Sequence, residues 1–132
     1  MRSLYYMQAN DDPGAVPMVT EELLNKYVGK IVEAVDPDAV ILFGSYARDQ
    51  ASSESDIDLL VIHSGSRLRE IQRKAYTALV GRTDAVDLIV RDPDDLRERL
   101  QWPDTFVANI LREGKVLHAK PHSPGVALVR HS

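Results

Sequence analysis

Apolar residues fall in two rhythms along the chain. Leu24, Val28, Ile31, Val32 and Val35 recur at helical spacing. Thr20 is a fair N-cap before them, and Glu21 and Glu22 favour the first turn. Pro37 ends that helix, because it disfavours helical geometry at Asp36. The rhythm then changes to short unbroken runs. AVILF (39–43), IDLLVI (57–62) and AVDLIV (85–90) read as buried strands. Gly44 breaks the first strand, and residues 45–50 suit a short helical turn. Ser64, Gly65 and Ser66 form a loop and an N-cap. Leu68, Ile71, Ala75, Ala78 and Leu79 then make one face of a helix that Gly81 stops. Asp92 and Pro93 open another helix as cap and first-turn residue. Pro103 or Asp104 opens a last one, with Phe106, Val107, Ile110 and Leu111 apolar and Gly114 as its stop. KVLHA (115–119) is a candidate final strand.

The order is helix, strand, strand, helix, strand, helix, helix, strand. That order predicts an α/β (α+β) domain, with a small mixed sheet covered by helices. Residues 1–17 read as an irregular arm, because Asp12-Pro13-Gly14 and Pro17 interrupt them. Residues 18–120 form the folded domain, and 121–132 a loose tail with two prolines and a glycine.

With 132 residues there is room for one domain and little more. A net charge of −4 sets up no broad basic field, so no direct nucleic-acid binding is expected. There is no cysteine, which excludes disulfides and thiolate metal sites and suits a reducing compartment. The apolar runs are too short to cross a bilayer, and the first residues lack a secretory pattern. A cytoplasmic protein with no membrane contact is the expectation.

One stretch does not fit a purely structural reading. FGSYARDQASSESDIDL (43–59) places Asp56 and Asp58 two apart, at the open end of a strand whose far end is apolar on both faces. Residues at spacing two on a strand share a face, and like charges there repel. Asp87 sits early in the next strand. If the two strands are neighbours, three carboxylates converge within coordinating reach of one ion. Two carboxylates about 6 Å apart repel by roughly 1 kcal/mol at an effective dielectric near 50, and more in a dry cleft. A divalent cation removes that cost, and hard oxygen ligands suit Mg²⁺. Gly44 lets a phosphate approach the backbone, and the turn after it offers free N–H groups and the Ser45 hydroxyl. The pieces make a site in which N–H groups hold a triphosphate and Asp56 and Asp58 hold Mg²⁺ against it. Asp87 then takes the proton of an incoming hydroxyl. This is metal-assisted nucleotidyl transfer.

Gly44-Ser45, ten residues, then Asp-x-Asp resembles the nucleotidyltransferase superfamily that includes DNA polymerase β and the kanamycin nucleotidyltransferases. LFGSYAR and SDIDLLV together look more like the minimal nucleotidyltransferases, the MNT (MntA-like) antitoxins paired with HEPN toxins. The resemblance runs from Glu22 to His118, because ILREGKVLH also resembles that family's C-terminal end. It implies the nucleotidyltransferase fold, with Gly44 and Ser45 on the nucleotide phosphates and Asp56 and Asp58 as metal ligands. Asp87 would be the third carboxylate, as ligand or base. Arg48 lies beside the same turn, where it either contacts phosphate or forms a surface ion pair. One position departs from the pattern: Asp49 stands where the family usually has glycine, and an acid there could weaken ATP binding.

Other features take plainer readings. Ser45 lacks the G-x-S-x-G context of a covalent nucleophile. Gly29-Lys30 lies mid-helix without the upstream glycine of a phosphate loop. Arg67, Arg69, Arg73 and Lys74 suit a solvated helix face. His118 and His122 are separated by Pro121, which argues against a helical metal pair. Trp102 is expected in the core at a helix junction, and the scattered tyrosines as packing residues. Asp84 is the alternative to Asp87 as the acid that matters.

A chain this short has no second domain to complete an acceptor site, so the acceptor should come from another polypeptide or a second copy. The resemblance then implies an enzyme that moves AMP from ATP to a hydroxyl, a tyrosine, of a HEPN-type toxin. The alternatives are a catalytically weak or inactive antitoxin that neutralises its toxin by binding, and an aminoglycoside-type small-molecule transferase working as a homodimer.

Overall fold

The computed structural model describes residues 19–52, 55–82, 84–102 and 104–123. The arm and most of the tail therefore lie outside the described residues. Eight elements follow in the expected order: α1 (Glu21–Val35), β1 (Ala39–Phe43), β2 (Ile57–Ile62), α2 (Leu68–Ala78), β3 (Val86–Arg91), α3 (Pro93–Arg99), α4 (Phe106–Glu113) and β4 (Lys115–Ala119). The strands form one mixed sheet in the order β3-β2-β1-β4. β2 and β3 run parallel, joined by the α2 crossover, while β1 is antiparallel to β2 and β4. This is the α+β arrangement that the hydrophobic pattern predicts.

Alternation along the strands divides the core in two. Val40, Leu42, Leu59, Val61, Leu88 and Val90 pack under α1 and α2. Ile41, Phe43, Leu60 and Ile62 pack with Leu96, Val107, Ile110 and Leu111 of α3 and α4. β1 and the end of β2 are thus buried on both faces, which explains their unbroken apolar runs.

Most of the cap chemistry is as expected. The Thr20 hydroxyl accepts from Leu23 N–H at 3.1 Å, and Asp92 Oδ1 from Asp95 N–H at 2.7 Å. Asp36, ahead of Pro37, leaves helical geometry with φ +47°. Three details differ. α4 is capped by Thr105, whose hydroxyl accepts from Ala108 N–H at 3.1 Å, and not by Pro103 or Asp104. No side chain caps α2. The loop before it is drawn back onto His63, whose Nδ1 accepts from Gly65 N–H at 2.8 Å. α2 also ends at Ala78, with a turn before Gly81 (φ +93°) closed by Arg82 N–H to Leu79 O. Trp102 is 64% exposed and is not a core residue. Gly114 ends α4 for want of space: a Cβ there would crowd Ile41 Cγ2 and the Ile110 and Leu42 carbonyls.

Candidate active site

The register decides the site. Asp58 on β2 pairs directly with Asp87 on β3, and on its other side with Phe43 at the end of β1. Paired residues share a face, so Asp87, Asp58 and Phe43 form a row across three strands on the side covered by α3 and α4. Asp56 lies just before β2, one residue outside the strand, and is exposed. Asp58 is half-buried. Burial first, then the charges of Asp87 and Asp56, raise its pKa above the ordinary carboxylate value, while Arg48 opposes them. Asp87 and Asp56 both bear on Asp58.

Gly44 fits Asp58 closely. Its φ is +75°, a left-handed conformation that favours glycine. A Cβ there would overlap the Asp58 Oδ2 atom and come within 3.1 Å of Cγ. The Asp58 carboxylate occupies the space that a side chain at 44 would fill. From Gly44 the chain enters the expected helical turn: Arg48 N–H donates to Gly44 O at 3.2 Å, and Gln50 N–H to Ser45 O at 2.9 Å. Tyr46, 2% exposed, anchors the turn in the core and leaves Ser45 and Arg48 outward. Arg48 Nη1 stands 3.9 Å from Glu113 Oε2, a surface ion pair of α4 beside the turn.

The structure accounts for the departure at Asp49. Its φ is +57°, the left-handed region where glycine is the usual choice and aspartate one of the better substitutes. Its carboxylate turns to Lys115 on β4, 3.7 Å away.

Among the described residues, no group of three or more His, Asp or Glu side chains stands close enough to hold a metal ion by itself. The register sets Asp87 beside Asp58, with Asp56 just outside the strand, but the three acids do not gather within coordinating reach of one ion, against the expectation from sequence. Asp87 is instead drawn toward a hydroxyl. The donor set still fits Mg²⁺, which is commonly held by one or two carboxylates with substrate phosphates completing the shell.

That hydroxyl belongs to Tyr76, which the sequence marks only as a packing residue. β3 is an edge strand, and α2 reaches around to cover it. Tyr76 Oη accepts from Leu88 N–H at 2.8 Å and donates to Asp87 Oδ1 at 3.3 Å. Gln72 Nε2 donates to Leu88 O at 2.9 Å. Two side chains thus occupy the backbone groups of an otherwise open edge, and one of them also orients Asp87. Asp84 serves a different purpose: it accepts from Tyr27 Oη at 2.7 Å on the α1 side. Arg67 and Lys74 pair with Glu70 on an exposed helix face.

Residues 25–123 match the family model described as Polymerase beta, Nucleotidyltransferase. The chain belongs to this family. A protein of Methanocaldococcus jannaschii named "Putative protein adenylyltransferase MJ0604" is 32% identical over 105 residues, which is 79% of this chain and 95% of that protein. Two solved structures resemble the nucleotidyltransferase more distantly. A crystal structure of a toxin–antitoxin with AMP-PNP is 19% identical, covers 81% of this chain and 85% of its own, and gives a TM-score of 0.47. A mutant toxin–antitoxin, MntA–HpeT, is 18% identical, covers 81% and 84%, and gives 0.46. Likeness at that level carries no argument about partners. No helix among the described residues of the nucleotidyltransferase is long and apolar enough to cross a membrane.

Proposed function

We propose that the chain transfers AMP from Mg·ATP to a hydroxyl on another protein, a HEPN-type toxin that it silences. The single observation that carries the chemistry is the direct pairing of Asp58 with Asp87, beside a Gly44 that leaves room for the carboxylate. The protein acceptor rests on the curated relative named for protein adenylyl transfer, and the toxin on the resemblance of LFGSYAR and SDIDLLV to the minimal nucleotidyltransferases.

In this reading the N–H groups of the 44–50 turn that do not close its own hydrogen bonds, the Ser45 hydroxyl and Arg48 bind the triphosphate. Asp56 and Asp58 would hold Mg²⁺ against it, with Asp87 as the third ligand or the base. The bound ion supplies charge neutralisation at the attacked phosphate and the leaving group. Asp87, which is exposed, would accept the proton of the acceptor hydroxyl on the oxygen that Tyr76 does not hold. The acceptor oxygen bonds to the α-phosphorus, the bond to the β-phosphate oxygen breaks, and pyrophosphate leaves. The inactive-antitoxin alternative drew on Asp49 near the phosphates or on an incomplete triad; the pairing of Asp49 with Lys115 bears on the first ground only, and the second is decided by measuring Mg·ATP binding.

The test is to incubate the chain with Mg²⁺, α-labelled ATP and a HEPN-type protein, and to weigh that protein by mass spectrometry. A mass raised by one or more AMP units with wild type, and by none with Asp56→Ala, is expected. Absence of Mg·ATP binding by calorimetry, together with toxin neutralisation by Asp58→Asn, would overturn the enzyme reading. Label on kanamycin and not on protein would move the assignment to a small-molecule transferase.

A further inference from the structure

A cleft of about 440 Å³ opens between the 44–50 turn and α4, lined by Phe43, Gly44, Arg48, Phe106, Asn109 and Glu113 among others. We propose that this cleft takes the base and ribose of the nucleotide, with the Phe106 ring as the stacking surface. The inference rests on the nucleotide reading above and adds where the nucleoside lies. Phe106 is apolar yet 61% exposed, and of the four exposed large apolar residues described it is the one that lines the cleft. Its ring packs against Phe43 edge to face, with centroids 5.7 Å apart and planes at 83°. The cleft volume falls in the usual range of small-ligand sites, and Asn109, Arg112 and Glu113 put polar groups on its rim.

Position selects the occupant. Phe43 is abreast of Asp58, one strand away, and Asp87 lies one strand further on the other side. At a strand spacing of about 4.8 Å, the backbone of Phe43, which lines the cleft, is about 5 Å from that of Asp58 and about 10 Å from that of Asp87. The cleft lies on the α4 side of Gly44 and Arg48, next to the turn that takes the phosphates. A nucleoside there leaves its α-phosphate over Asp58, whereas an acceptor hydroxyl has to approach from the exposed Asp87 edge.

The experiment compares binding of Mg·ATP and Mg·tripolyphosphate, a probe without a nucleoside, by calorimetry. Phe106→Ala should weaken ATP by about 5- to 150-fold, the range of base-on-ring stacking, and leave tripolyphosphate unchanged. Phe106→Trp should keep ATP affinity, and circular dichroism should show both variants folded. Unchanged ATP affinity in a folded Phe106→Ala overturns the inference while the phosphate reading stands. An unchanged ATP affinity with a raised KM for the protein acceptor overturns it in favour of an acceptor cleft. Failure of wild type to bind either ligand overturns the nucleotide reading and this inference together.

Discussion

Replacing Asp58 with Asn should stabilise the fold at neutral pH while abolishing transfer. Asp58 and Asp87 pair directly on adjacent parallel strands, so their carboxylates lie about 6 Å apart. Repulsion at that distance is roughly 0.7 kcal/mol in bulk water and roughly 3 kcal/mol at an effective dielectric of 20. Asp58 is only half-buried, and Arg48 offsets part of the charge, so screening favours the lower half of that range. A gain of about 1 kcal/mol, or about 4–8 °C in Tm for a domain near 100 residues, is the expected size. The pH dependence follows from the direction of the shift. Asp58 is raised in the folded state, so its favourable contribution is complete below the unfolded carboxylate value and is lost as pH rises through the folded one. Asparagine escapes that loss. The advantage of Asp58→Asn should therefore be full at about pH 7 and vanish at about pH 3. Urea denaturation of both proteins at the two pH values, without divalent ions, measures it. A variant less stable than wild type at neutral pH, or an advantage that persists in acid, would refute the reasoning.

Two further substitutions test how the site is built. Gly44→Ala forces a side chain into a left-handed backbone and against the Asp58 carboxylate; the backbone cost alone is about 1–2 kcal/mol. Urea denaturation should show a loss of about 2 kcal/mol or more, and labelled-AMP transfer should fail. Tyr76→Phe removes the acceptor for Leu88 N–H and the donor to Asp87, costing about 1 kcal/mol. As a positioning residue it should lower kcat with little change in the KM for ATP. A matching rise in KM at constant kcat would point to a role in nucleotide binding instead.

Much of the architecture was legible along the chain because it is written in local physics. The change from helical spacing at Leu24–Val35 to the unbroken runs at 39–43 and 59–62 reports burial on one stripe or on two faces. Asp92-Pro93 and Thr20 announce helix starts through hydrogen bonds that span three residues. The Gly-Ser and Asp-x-Asp spacing was visible for the same reason, since both motifs lie on either side of one strand-to-strand connection. The end of α4 was readable, but its start was not, because Asp104 and Thr105 are adjacent and either could cap.

What the chain alone could not decide depends on contacts between distant segments. That β3 lies against β2 in the register Asp58 to Asp87 is set by how α2 packs on the sheet. No local signal marks Tyr76 as the partner of Asp87, because its hydroxyl reaches around an edge that exists only once the strands are ordered. The cleft beside Phe106 likewise needs α4 laid across Phe43, and the harmless direction of Asp49 needs Lys115 brought back on β4. Sequence fixes which side chains are available and which face of each element they occupy; only long-range packing brings those faces together.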